Sequence, residues 1–282
     1  MKAVVKIGGT LLENPEDRLR LAGHIGGLLR GGHQVLLVHG GGKQLTAYLE
    51  RSGVASHFVE GLRVTPAETL EGVIKVLAGT VNHQLLAALH RCGVAAVGIS
   101  GIDAGCLVAQ KLIGDQGQDW GFVGEVRKVN PRLWEVLLAA GLLPVLACLA
   151  VGDDAQIYNI NADQAAVACA VHLRADCLVF LTDVDGVLDP RGQTIPHLTP
   201  EEFAALSRAG VATGGMLAKL RAAGDALTGN VSRVFIANGH RDDILQKIFA
   251  GWQDGIGTVL EFSALSGGFR EGFCHSPHLP GH

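Results

Sequence analysis

The chain of 282 residues carries 23 basic and 27 acidic side chains, a net charge of −4, and is 48% hydrophobic and 18% charged. Those proportions exclude a disordered chain and describe a globular protein long enough for one large domain or two lobes. With no basic block or stripe, they also argue against a nucleic-acid partner bound through its phosphates. The six cysteines (Cys92, Cys106, Cys148, Cys169, Cys177, Cys274) form no Cys-x-x-Cys pair and read as reduced thiols of a cytoplasmic protein. The N-terminus runs from Met1-Lys2 straight into "AVVKIGG", with no leader expected. The longest uncharged run, Val136 to Val151, is broken by Gly141 and Pro144 and falls short of the roughly 20 residues a bilayer requires, so no membrane partner is expected.

In chain order, "KAVVKI" (Lys2–Ile7) predicts a first strand, followed by a "GGTLL" loop and a helix from Glu16 to Leu29 that Gly31-Gly32 ends. "QVLLVH" (Gln34–His39) predicts a second strand, then a glycine loop and a helix from Gln44 to Arg51. Thr65-Pro66 reads as an N-cap and first-turn pair, with Glu68 three residues after the cap, opening a long helix to about Arg91. "AAVGIS" and "LLPVLACL" predict further strands, and the segment from Asp115 to Val129 a small hairpin. "CLVFLTDV" (Cys177–Val184), "RVFIAN" (Arg233–Asn238) and "GTVLEF" (Gly257–Phe262) complete the strands. Strands alternating with helices predict an α/β protein with a mainly parallel sheet. Residues 263–282 have no periodicity and read as a disordered tail.

The first strand ends in "VKIGGT" and the second in "VHGGGK", so two strands deliver glycine-rich turns to one carboxyl edge, where open α/β sheets hold ligands. Familiar templates fail on counting. A Walker A loop ending at Gly42-Lys43 would need glycine at Leu37 and a hydroxyl at Gln44, and a dinucleotide turn from Gly40 would need glycine at Leu45. Glycines still let N–H groups approach an anion, and the helices that follow add positive dipole ends. Lys6 lies inside an apolar strand two residues before the first glycine pair and needs a partner there. Lys219 follows another Gly-Gly pair at a helix start. In "NINADQAA" (Asn159–Ala166), Asn161 or Asp163 can cap a helix, and Asp163 can hold two cationic side chains in place. "LTDVDGVLD" carries Asp183 and Asp185 on a turn that is either a metal site or a pair of solvated carboxylates. Arg63, in "GLRVT", is by itself a surface charge.

Together these motifs resemble the amino acid kinase family, and within it the branch that phosphorylates N-acetyl-L-glutamate. The likeness runs from "VKIGG" through "VHGGGK", "GLRVT", "GISGID", "GFVGEV", "NINADQAA", "LTDVDGVL" and "GGMLAK" to "GIGTVL". It implies a three-layer αβα sandwich, with residues 1–175 binding the acyl substrate and dimerising and residues 176–262 binding ATP. Lys6 and Lys219 would neutralise the transferring phosphoryl group, and Asp163 would orient both. Gly8, Gly9, Gly41 and Gly42 would offer backbone N–H groups, the last two beside the acyl substrate. Arg63 would pair with the substrate α-carboxylate, with Asn159 and Asn161 also in the substrate site. Asp183, Val184, Asp185, Gly186, Val187 and Leu188, with Val211, Ala212 and Thr213, would line the ATP site. Mg2+ would ride on the ATP phosphates and water, with no dedicated metal cage. A carboxylate acceptor is already ionised at neutral pH, so no general base is expected. Two other readings stay open: an aminoadipate-type kinase of the same fold, against which Arg63 weighs, and a non-catalytic amino-acid sensor, against which the Lys6, Asp163, Lys219 set weighs. Arginine-inhibited members carry an extra N-terminal helix; a first strand at Lys2 implies a homodimer insensitive to arginine, closed through apolar positions Leu70, Val73, Leu77 and Leu85 of the long helix.

Overall fold

The computed structural model describes residues 1–59, 61–114, 117–208, 214–251 and 255–262. The tail from residue 263, with Cys274, and the segment Val211 to Thr213 lie outside them. In chain order the elements are β1 (Lys2–Ile7), α1 (Pro15–Arg30), β2 (Gln34–His39), α2 (Gly42–Arg51), β3 (Phe58–Val59) and β4 (Leu62–Arg63). Then comes α3, one continuous helix over Ala67–Arg91, whose middle, Ile74–Val81, is wound as a π-helix. There follow β5 (Ala96–Ser100), β6 (Leu107–Ile113), β7 (Asp119–Val129), α4 (Arg132–Ala139), β8 (Leu143–Ala147), β9 (Leu149–Gly152), β10 (Ile157–Ile160) and α5 (Ala162–Leu173). The last are β11 (Cys177–Thr182), β12 (His197–Leu198), α6 (Pro200–Arg208), α7 (Gly214–Thr228), β13 (Arg233–Asn238), α8 (Ile244–Ala250) and β14 (Thr258–Leu260).

Eight strands form one sheet in the order β12-β14-β13-β11-β1-β2-β8-β5, parallel throughout except where β14 runs against β13. Strands in such a sheet are covered on both faces, which is why β1, β2 and β11 are apolar almost without interruption. Period two divides β1 between two cores. Ala3, Val5 and Ile7 join the cluster that includes Leu21, Ile25, Leu77 and Leu85 from α1 and α3. Val4 faces the opposite cluster, with Ala165, Ala166 and Cys169 of α5 and Leu220 and Ala223 of α7. Lys6 shares that second parity, so it emerges beside α5 rather than α1. A separate four-stranded closed barrel, β10-β7-β6-β9, sits beside the sheet and feeds β10 directly into α5.

Several local expectations are corrected. Pro66, not Thr65, is the N-cap of α3; the Thr65 hydroxyl donates instead to the Arg63 carbonyl at 2.7 Å. "LLPVLACL" is two strands, because the chain leaves the main sheet at Cys148 and enters the barrel as β9. The hairpin is longer than Asp115 to Val129, pairing β6 with β7 back to Leu107. By length and composition α3 could cross a membrane, but Val73, Val76, Leu77, Val81, Leu85 and Leu89 are buried in the protein core.

Candidate active site

Lys6 Nζ lies 2.8 Å from one oxygen of Asp163 and Lys219 Nζ lies 3.4 Å from the other. Three elements make this cluster. β1 delivers Lys6 at the carboxyl edge of the sheet, α5 presents Asp163 in its first turn, and α7 packs against α5 with Lys219. Asn161 caps α5, its side-chain oxygen accepting from the N–H groups of Asp163 and Gln164 at 2.9 and 3.2 Å. Lys6 and Asp163 are 6% and 7% exposed, and each is the other's ion-pair partner at that depth. Burial works against ionisation of Asp163, but Lys6 and Lys219 outweigh it and hold its carboxyl below the ordinary carboxylate range.

The two glycine turns touch each other. A β-carbon on Gly9 would sit 3.0 Å from the Gly42 nitrogen, and one on Gly41 only 2.6 Å from Leu77 Cδ2. No side chain fits between them. A short 3-10 helix opens at Gly9 and α2 opens at Gly42, so the first N–H groups of each have no carbonyl one turn back to bond. The pair differs at Gly8, whose N–H is spent on the Leu181 carbonyl at 2.9 Å; its expected donation to a ligand is thereby corrected. Gln44, which sequence reasoning passed over, reaches from α2 to the Gly9 carbonyl at 3.0 Å and ties the turns together. Its partner is far away in sequence, so no local pattern marks it. Lys43, the residue that closes "VHGGGK", is largely exposed and pairs with Glu13 at 3.3 Å.

Beside Gly40 and Gly42 is a cavity of about 160 Å3 lined also by Leu62, Arg63, Leu77, Asn159 and Asn161. Arg63 is a buried residue here, not a surface charge. Its guanidinium donates to the Gly42 carbonyl at 3.0 Å and to Thr46 Oγ1 at 2.7 Å, and the Phe58 ring lies 4.5 Å away. Burial draws its pKa down, yet a guanidinium stays protonated in proteins. Asn159 Nδ2 donates to Thr65 Oγ1 at 3.1 Å, which orients the amide.

Across the sheet, the "DVDGVL" turn follows β11, the strand next to β1. Asp185 accepts from Asn238 Nδ2 and Arg241 Nε, both at 3.0 Å, and these two donors hold its carboxyl below the usual range. Asp183 accepts from the Thr182 hydroxyl at 3.2 Å. Val184 and Leu188 are exposed, and Gly186 packs against Thr258. Val187 departs from expectation: its side chain is in the core, Thr258 Oγ1 accepts from its N–H, and Ile195 donates to its carbonyl. Its N–H and side chain are engaged within the protein, so it shapes the turn. Asn238 and Arg241 were invisible in sequence because β13 reaches the site only through the sheet order. Among the described residues, no group of three or more His, Cys, Asp or Glu side chains is placed to hold a metal.

A parallel sheet with glycine turns and a lysine–aspartate–lysine cluster at its carboxyl edge is the arrangement of a phosphoryl-transfer site. The chain belongs to the amino acid kinase family, whose profile matches residues 1–238. Within that family it is similar to acetylglutamate kinases. That of Solibacter usitatus is 49% identical over 260 residues, covering 92% of this chain and 99% of the relative. That of Methanopyrus kandleri is 43% identical, covering 91% and 99%. Among solved structures, N-acetylglutamate synthase from Neisseria gonorrhoeae complexed with coenzyme A and N-acetyl-glutamate superposes with a TM-score of 0.83. That match has 31% identity and covers 93% of this chain and 60% of that one.

Proposed function

We propose that the chain transfers the γ-phosphoryl group of ATP to the side-chain carboxylate of N-acetyl-L-glutamate, the second step of arginine biosynthesis. A carboxylate oxygen forms the new P–O bond as the bond from phosphorus to the β,γ-bridging oxygen breaks; ADP and N-acetyl-L-glutamyl 5-phosphate result. The acceptor arrives ionised, so no side chain has to remove a proton. The task left to the protein is to hold two anions in line and stabilise the charge that spreads over the transferring group.

The observation that carries this reading is the shared ion pairing of Lys6 and Lys219 to Asp163 at 2.8 and 3.4 Å. Asp163 aims both ammonium groups before the nucleotide arrives. Gly9, Gly41 and Gly42 supply N–H donors at the turn junction, and Arg63 with Asn159 receives the α-carboxylate and amide end of the acyl substrate in the adjoining cavity. The turn from Asp183 to Leu188, with Val211 to Thr213, accommodates the nucleotide. Residues 1–175 then serve the acyl substrate and residues 176–262 the ATP. Mg2+ would be held by the nucleotide phosphates and water, where it would offset phosphate charge, since the carboxylate nearest the lysines is already engaged by them. The five described cysteines are free thiols, which suits a cytosolic enzyme.

Coupled ADP release with N-acetylglutamate, aminoadipate, aspartate and glutamate as acceptors tests the assignment. The first should be preferred; release no faster with it than without acceptor would overturn it. A homodimer is also proposed. Val73, Leu77 and Leu85 are spent in the core, so a two-fold contact on α3 has to use half-buried positions such as Leu70 and Ile74. Light scattering giving a monomer mass would exclude it.

A further inference from the structure

His39, the last residue of β2, is wholly buried, as is Asn82 at the point where α3 returns from π to α winding. Asn82 Nδ2 lies 3.0 Å from the Val145 carbonyl and 3.0 Å from His39 Nε2. A carbonyl only accepts, so the Asn82 nitrogen is the NH2 group, and its other hydrogen faces Nε2. Nε2 must therefore be the bare nitrogen, and the ring proton sits on Nδ1, 2.9 Å from the Gly40 carbonyl. Burial agrees with this neutral ring, lowering the His39 pKa to about 4. Room for Asn82 comes from Gly98 of β5, where a β-carbon would lie 2.0 Å from the Asn82 amide oxygen.

The consequence falls on one peptide group. The Gly40 carbonyl and the Gly41 N–H belong to the same planar trans unit and point in opposite directions. Holding the carbonyl toward the buried ring turns the Gly41 N–H away from it. That peptide is flanked by two glycines, which resist a flip less than any other pair. The preceding peptide is pinned separately: Gly40 N–H donates to the Ile7 carbonyl at 3.1 Å, and Cys148 Sγ donates to the His39 carbonyl at 3.3 Å.

We propose that His39 is a positioning residue for phosphoryl transfer: its ring, with the tautomer set by Asn82, fixes the Gly40–Gly41 peptide and so aims the Gly41 N–H at the acyl substrate. This rests on the function proposed above and adds a residue that touches neither substrate. It also makes α3 part of the catalytic machinery, since the same helix carries Asn82 and presses Leu77 against Gly41.

Two substitutions separate the two ring bonds. His39→Asn keeps a donor near the Nδ1 position and loses Asn82; His39→Gln keeps a group near the Nε2 position and releases Gly40. Misplacing a reacting contact by about 1 Å can cost on the order of 100-fold. The expected result is a kcat lowered about 10- to 100-fold in His39→Gln, with the KM for ATP within about twofold of the parent. His39→Asn should stay within a few-fold of the parent kcat. Equal kcat in the parent and a folded His39→Gln, or equal losses in both variants, would overturn the proposal. The ring state is also read without any substitution: nitrogen-15 NMR of the parent showing a protonated Nδ1 and bare Nε2 supports it, and an Nε2–H ring overturns it. Failure of the underlying function would look different, as no acetylglutamate-dependent ADP release from the parent itself.

Discussion

Replacing Asp163 by Asn removes the negative charge that Lys6 and Lys219 share while leaving shape and volume almost unchanged. In the parent the carboxylate lies 2.8 and 3.4 Å from the two ammonium groups, and it and Lys6 are over nine-tenths buried. Removing one partner of a buried pair strands the other, at a cost of about 3–5 kcal/mol. Here two cations are stranded beside each other, so the upper part of that range is expected. For a chain of this size about 2 °C of melting temperature accompanies each kcal/mol, which places the loss at about 8–10 °C. Chemical and thermal unfolding of Asp163→Asn measure it directly. ATP carries negative charge to the same lysines, so saturating nucleotide should raise the melting temperature of the variant more than that of the parent. Catalysis should fall as well, because the lysines lose the group that aims them. A stability change under about 1 kcal/mol, or equal nucleotide stabilisation of both proteins, would refute the view that this cluster is a preorganised anion site.

Lys6→Ala and Lys219→Ala are each expected to lower kcat by about 10²–10³, the loss typical of a preorganised charge-stabilising donor; near-parental turnover in either folded variant contradicts the assignment. Arg63→Ala should raise the KM for acetylglutamate and leave ATP affinity little changed in steady-state assays, and an equal loss of both would make Arg63 structural. A pH effect follows from His39, whose pKa is near 6.5 unfolded and about 4 in the fold. Below pH 6.5 the unfolded chain binds the proton first, so stability falls with pH through that window, by about 2 kcal/mol at pH 5. Asp163 acts lower: its depressed pKa keeps its contribution intact above the unfolded value of about 3.9, and it is lost as pH falls through the folded value. Urea midpoints at pH 7 and pH 5 for the parent and His39→Gln check this: the variant should lose about 2 kcal/mol less than the parent at pH 5, the share from His24, whose pKa burial also lowers, being common to both.

The limits of β1, β2 and β13 were legible from sequence because each is a continuous apolar run buried on both faces, with glycine or polar residues at its ends. A lysine in such a strand is conspicuous for the same reason, and so are two glycine turns at matching strand ends. Period two even decides that Lys6 lies on the Val4 face of β1. What composition and spacing leave undetermined is which helix covers that face; the parallel sheet order brings α5 and α7 there, and only then do Lys6 and Lys219 converge on Asp163. Arg63 reads as an ordinary surface charge until β4 folds over α2 and buries it against Gly42. Gly8 and Gly9 are indistinguishable in sequence, and the β11 carbonyl that claims the Gly8 N–H separates them. Val187 similarly looks like part of a polar turn until Thr258 and Ile195, from distant segments, take both its backbone groups. Local residue chemistry names the charges and the flexible turns. Whether each is exposed, paired or stranded depends on neighbours far away in the chain, because desolvation and hydrogen-bond partners are set by packing rather than by adjacency.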